Sequence, residues 1–109
     1  MNWRELNSEE QFIELLNGKG AFAIFKHSTR CSISSMAKAR LEREWKFSQE
    51  ELPIFYLDLI RYRSVSNLIA VKSHVEHESP QLIVFVQGRP VYDASHHAIQ
   101  VTEIIPFIH

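Results

Sequence analysis

Apolar and polar positions along this chain alternate between a helical period and short continuous runs. Ser8-Glu9-Glu10-Gln11 has the form of a capping box, and Phe12, Leu15 and Leu16 follow at helical spacing. A short first helix closed by Gly18 is predicted. Ala21-Phe22-Ala23-Ile24-Phe25 is unbroken apolar sequence, so residues 21–27 read as a strand buried on both faces. After Cys31, the residues Ile33, Ala37, Leu41 and Trp45 form an i, i+4 row with Met36 beside it. That row predicts a long helix to about Lys46, facing the core. Lys38/Glu42, Arg40/Glu44 and Glu42/Lys46 are spaced for ion pairs on its other side.

Leu52-Pro53 opens a second apolar run, Ile54 to Leu59. Ser64 or Ser66 is placed to cap a third helix with Leu68, Ile69 and Val71 on its inner side. Leu82-Ile83-Val84-Phe85-Val86 is the clearest strand; Gln87-Gly88-Arg89-Pro90 reads as a tight turn, and Val91-Tyr92 returns as a hairpin. In the tail, Ile104, Ile105 and Ile108 have helical spacing, which Pro106 limits to one or two turns.

Strands separated by helices imply right-handed crossovers and parallel pairing, and the last hairpin adds an antiparallel edge. The expected architecture is a three-layer α/β/α sandwich with a mixed four-stranded sheet, the thioredoxin-like arrangement. With 109 residues, no repeat and no linker, residues 1–109 form a single domain.

Charge narrows the function. Twelve Lys and Arg stand against 13 Asp and Glu, a net charge of −1. That balance argues against a nucleic-acid partner. No apolar run is long enough to span a bilayer. A single cysteine cannot form an internal disulfide, and Met1-Asn2-Trp3-Arg4-Glu5 lacks the apolar stretch of an export signal. A reducing, cytoplasmic setting is expected.

That cysteine lies where a strand feeds a helix. Unpaired backbone N–H groups and the positive helix end stabilise a thiolate, the reactive form, and Arg30 adds a cation beside it. Its polar neighbours Thr29, Arg30, Ser32 and Ser34 argue against the other reading, a buried cysteine acting as a small hydrophobe. Ser34 stands three residues on, where a dithiol enzyme carries its second sulfur. Its hydroxyl either donates to the thiolate or bonds the backbone of the first turn. In both cases the chemistry has one thiol, and an outside thiol must release any adduct on Cys31.

Pro80, at the entrance to the strand Leu82–Val86, is expected to be cis, turning the backbone of Ser79 outward as an edge for a bound partner. The alternative is an ordinary trans proline opening a strand. His27 and Arg30 bracket the thiol and are candidates to orient an anionic substrate; His27 is equally a strand-end residue. His74, Glu76, His77 and Glu78, with His96 and His97, fit no metal-ligand spacing and read as solvated turn residues, so no metal is expected.

Lys26-His27-Ser28-Thr29-Arg30-Cys31-Ser32-Ile33-Ser34 resembles the active-site stretch of the YtxJ-like monothiol bacilliredoxins. His77-Glu78-Ser79-Pro80-Gln81 resembles their proline segment, and Ala94-Ser95-His96 a third block. The resemblance runs from the first helix to about Ile99, with the blocks in the family's order. It departs at Ser32, where the family usually has Pro, and in a shorter tail after Thr102.

The resemblance implies a thioredoxin-like fold and thiol–disulfide exchange with bacillithiol, the small thiol that replaces glutathione in low-GC Gram-positive bacteria. Cys31 is then the attacking residue, Ser79 and Pro80 dock the client, and Arg30 and Lys26 favour the ligand's carboxylates. Bacillithiol enters as a co-substrate, with no bound cofactor. The partners are S-bacillithiolated client proteins and a downstream thiol reductant. Two other readings stay open: a monothiol carrier sharing an iron–sulfur cluster between two subunits, and an adaptor in which Cys31 is a relic.

Overall fold

The apolar run 21–25 becomes the centre of the sheet. In a computed structural model describing residues 1–109, strand β2 (Ala21–His27) pairs in parallel with β3 (Ile54–Asp58). On its other edge β2 pairs antiparallel with β4 (Gln81–Val86), which pairs antiparallel with β5 (Arg89–Ser95). A further strand, β1 (Trp3–Glu5), joins β3 in parallel, giving five strands in the order β1-β3-β2-β4-β5. The sequence reading had four. The fifth escapes it because β1 has three residues, of which Arg4 and Glu5 are exposed. Contacts made elsewhere hold it: the Trp3 ring lies 5.7 Å from Phe25 and 6.0 Å from Tyr56, and Leu6 N–H donates to Tyr56 O.

Two helices cover each face. Phe22 and Ile24 point toward α1 (Glu9–Asn17) and α3 (Arg63–Ser73), in a core with Phe12, Phe55, Leu57, Ile69 and Phe85. Ala23 and Phe25 point the other way, toward α2 (Ser32–Glu44) and α4 (Ile105–Ile108), with Leu41, Leu52, Val84 and Ile104. Period-two alternation explains why every residue from Phe22 to His27 is buried. The three-layer thioredoxin-like sandwich is therefore as expected, apart from the added edge strand. No helix is long and apolar enough to cross a membrane.

Local signals vary in how far they hold. Ser8 Oγ accepts the Gln11 N–H at 3.2 Å, as a capping box requires, while the Gln11 amide oxygen takes the N–H of Asn7. Gln87 and Gly88 have φ of 52° and 76° between paired Val86 and Arg89, so the hairpin turn is two residues long. A Cβ on Gly88 would meet Leu16 O at 2.6 Å, so glycine is needed for space as well as for φ. Helix α3 starts at Tyr62–Arg63 with no side-chain cap, after a turn in which Asp58 Oδ1 accepts the N–H groups of Ile60 and Arg61. Its inner row is Val65 and Ile69, and Val71 is exposed.

Helix α2 differs most from expectation. It ends at Glu44, and its inward row is Ser34, Ala37 and Leu41. Ile33 and Met36 face solvent, 49% and 70% exposed. Of the expected ion pairs only Lys38–Glu42 forms, at 2.9 Å, with Trp3 Nε1 donating to the same carboxylate. Arg40 leaves the helix surface and donates to the carbonyls of Ile99 (2.8 Å) and His96 (3.3 Å).

Candidate active site

The strand register gathers the candidate residues at one end of the sheet. Lys26 pairs with Gln81, Gln81 with Ser95, and His27 with Asp58. The Ser28–Cys31 loop, the Ser79–Pro80 step and the His96–Ala98 turn therefore all leave the sheet at that end.

Cys31 occupies the N-cap position of α2 and is half-buried, with extended backbone (φ −111°, ψ 120°). Its N–H donates to Ser28 O at 3.2 Å, closing a tight turn, and its carbonyl receives the N–H and hydroxyl of Ser35. The sulfur makes no cap hydrogen bond, so the N–H groups of the first turn stay open beside it. Thr29, Arg30 and Ser32 around it are exposed, and Arg30 takes part in none of the chain's ion pairs. The arrangement presents one thiol and one unengaged cation at a helix N-terminus.

Ser34 does not turn to that sulfur. It is fully buried, accepts the Ser28 N–H at 3.1 Å and shares a 2.6 Å hydrogen bond with His27 Nδ1. Of its two readings the structure bears out backbone bonding. Ser34 fastens the start of the cysteine loop to the first turn of α2. His27 stacks on Phe25 and lies 5.2 Å from Tyr56. Burial first, then the charge of Lys38, lowers its pKa, against weaker pulls from Asp58 and Ser34. A ring so placed is a strand-end anchor rather than an anion-orienting group.

Lys26 requires a correction as well. It was expected to favour the ligand's carboxylates, yet it has no exposed surface. The alternation of β2 sends it to the α3 side, where Nζ donates to Ser66 O and His77 Nδ1, both at 3.3 Å. Ser66 Oγ approaches the same His77 nitrogen at 3.2 Å. Burial pushes the lysine pKa down to about 8, and burial plus the Lys26 charge lowers that of His77. His77 is exposed, as expected of a solvated turn residue, but its Nδ1 is tied to Lys26 and Ser66.

The Ser79–Pro80 bond is cis, as expected, and Pro80 is buried. His96, whose φ is 54°, donates from Nε2 to Ser79 O at 3.0 Å, and its N–H donates to Pro80 O. Ser79 Oγ is buried with no partner. The histidine contacts were not foreseen. The only signals were the positions of His77 before the proline step and of His96 after the hairpin.

The chain matches the monothiol bacilliredoxin BrxC family over residues 4–104. It belongs to that family. Among solved structures, a protein provisionally described as an oxidoreductase with a thioredoxin fold is 30% identical. It superposes with a TM-score of 0.81, over 95% of this chain and 91% of its own. Two thioredoxins share the fold at low identity. That of Malassezia sympodialis is 13% identical with a TM-score of 0.75, and a point mutant of the Halobacterium salinarum protein is 10% identical with a TM-score of 0.72. Each pairing covers 98% of this chain and 88% of the thioredoxin. The bacilliredoxin motif residues thus divide by role: Cys31 and Arg30 face outward, while Lys26, His27 and Ser34 build the frame behind them.

Proposed function

We propose that this bacilliredoxin-family protein removes bacillithiol from S-thiolated cytosolic client proteins by single-thiol exchange. One observation carries the reading. The chain's only sulfur sits at the N-cap of α2, and the residue at the second-thiol position, Ser34, is buried and committed to His27 and Ser28. No intramolecular resolving step exists, so the adduct on Cys31 waits for an external thiol.

The cycle balances as two exchanges. The Cys31 thiolate attacks the bacillithiol sulfur of the client's mixed disulfide. The old S–S bond breaks, the client leaves as a thiolate and takes a proton from water, and Cys31 holds bacillithiol in a new disulfide. A second bacillithiol thiolate, or a downstream dithiol reductant, then attacks the bacillithiol sulfur and frees Cys31. The client sulfur leaves with the electron pair of the broken bond. Bacillithiol departs as its own disulfide or, when the second thiol of a dithiol reductant closes on the first, as the free thiol, two thiols then being oxidised for the one mixed disulfide reduced. The first-turn N–H groups of α2 are open beside the sulfur, and Arg30 is an exposed cation that pairs with no carboxylate of the chain. Ser79 offers the client a backbone edge, from which the His96 imidazole must first release the carbonyl.

Intact-mass spectrometry tests this. The protein incubated with bacillithiol disulfide is expected to gain one bacillithiol, lost again on adding free thiol, and Cys31→Ser is expected to gain none. An accessible Cys31 that forms no adduct overturns the reading.

A further inference from the structure

The outward stripe of α2 is unusual for a helix packed on a sheet. Ile33, Met36, Arg40 and Arg43 follow one another at i, i+3 and i+4 steps, so they share one face. Ile33 and Met36 begin it two and five positions beyond Cys31, both exposed, and border a cavity of about 150 Å³ against His96 and His97. Farther along, a cavity of about 500 Å³ is lined by Arg40, Arg43, Lys46 and His97, with Glu44 its one acidic residue. Arg40 is spent on backbone carbonyls, but Arg43 and Lys46 are exposed and join none of the chain's ion pairs. On the opposite layer α1 carries Glu9, Glu10 and Glu14 and no basic residue. The stripe is apolar and then cationic leading away from the thiol.

We propose that this stripe is the docking surface for the thiolated client polypeptide. It selects clients in which an apolar residue two positions from the modified cysteine is followed by acidic residues. The proposal rests on the exchange reading above. Distance fixes the occupant: at about 1.5 Å per residue, Arg43 lies roughly 18 Å along the helix from Cys31. A small thiol anchored by its sulfur at Cys31 does not reach that far. An extended polypeptide covers it in about five or six residues at roughly 3.3 Å each. Charge fixes the class, because Arg43 and Lys46 join no ion pair of the chain and the cavity they line has Glu44 as its one acidic residue. Exposed pairs are weak and screened, so the effect is a preference that salt erodes.

Two synthetic peptides test it. Each carries one cysteine as its mixed disulfide with bacillithiol and a leucine two residues on, then either two aspartates or two lysines five and six residues on. About a fivefold higher kcat/KM is expected for the aspartate peptide at low ionic strength, shrinking as salt is added. The double variant Arg43→Glu, Lys46→Glu is expected to reverse the preference, and Met36→Ser to raise KM for both peptides alike. Equal rates for the two peptides, or a preference the double reversal leaves intact, overturn the proposal. Fluorescence anisotropy of the unmodified peptides on Cys31→Ala protein reads docking without turnover. Aspartate preference there with no turnover of either adduct on the wild type sinks the exchange reading and leaves the docking surface standing. No preference there overturns the surface itself.

Discussion

Lys26 and His27 are consecutive, both buried at the end of β2, and they point to opposite faces of the sheet. Each ties down a loop of the site by a polar network. His27, through Ser34, holds the cysteine loop against α2. Lys26 holds His77, two residues before Ser79, against α3. The His27 network is built of neutral partners that satisfy one another. The Lys26 network puts a charged amine against a carbonyl and an imidazole with no carboxylate to neutralise it. Hydrogen bonding between neutral buried groups adds stability, whereas an unneutralised buried charge subtracts from it. The two sides of one strand should therefore respond to mutation with opposite signs.

The largest effect is expected on the His27 side. Ser34→Ala leaves the Ser28 N–H and His27 Nδ1 without their buried partner. A loss of about 2 kcal/mol in unfolding free energy follows, measured by urea denaturation. The cysteine loop loses its fastening too, so the rate of Cys31 alkylation should change with it. A loss below about 0.5 kcal/mol would mean the network is decorative.

On the other side the sign reverses. Lys26→Met keeps the volume and removes the desolvated amine, so the variant is expected to be more stable than wild type at pH 7, by about 1 kcal/mol. Destabilisation would show that Nζ contributes more through Ser66 and His77 than its burial costs.

The pH dependence sharpens this. The folded-state pKa of Lys26 is about 8, below its ordinary 10.5. Between those values the unfolded chain holds a proton that the folded protein has lost, so wild-type stability should rise with pH across that window. Lys26→Met should be flat there. His27 and His77, also lowered by burial, act in the same direction on the acid side, so stability falls as pH drops through their ordinary range near 6.5. Urea midpoints at a series of pH values separate the two windows.

The contrast also explains what was legible in the sequence. Continuous apolar runs and the capping box mark β2, β3, β4 and α1 because burial on both faces and cap chemistry leave local patterns. Cys31 at a strand-to-helix junction is legible for the same reason. The directions of Lys26, His27 and Ser34 are not. Which face a strand-end residue takes depends on where the strand's alternation starts and on which helix covers it. Ile33 and Met36 were misread because apolar spacing on a helix does not distinguish a core row from an exposed stripe. A small inward row of Ser34 and Ala37 lets α2 sit close to the sheet, which leaves its larger residues outside. His96 on the Ser79 carbonyl needs a left-handed turn at the end of β5, for which His gives no sequence signal comparable to Gly.

The smallest expected effect separates the two partners of His77. Ser66→Ala removes a hydroxyl that lies 3.2 Å from Nδ1 but leaves the Lys26 bond to the same nitrogen and the Ser66 carbonyl on which Nζ also rests. The imidazole nitrogen stays satisfied, so less than about 0.5 kcal/mol should be lost. The rise in stability above pH 8 should persist, since the lysine is as buried as before. Matching urea curves for Ser66→Ala and wild type would leave Lys26 as the group that holds His77. A loss as large as that of Ser34→Ala would instead make the serine hydroxyl the anchor on both faces, and the difference between the two networks would lie in the lysine charge alone.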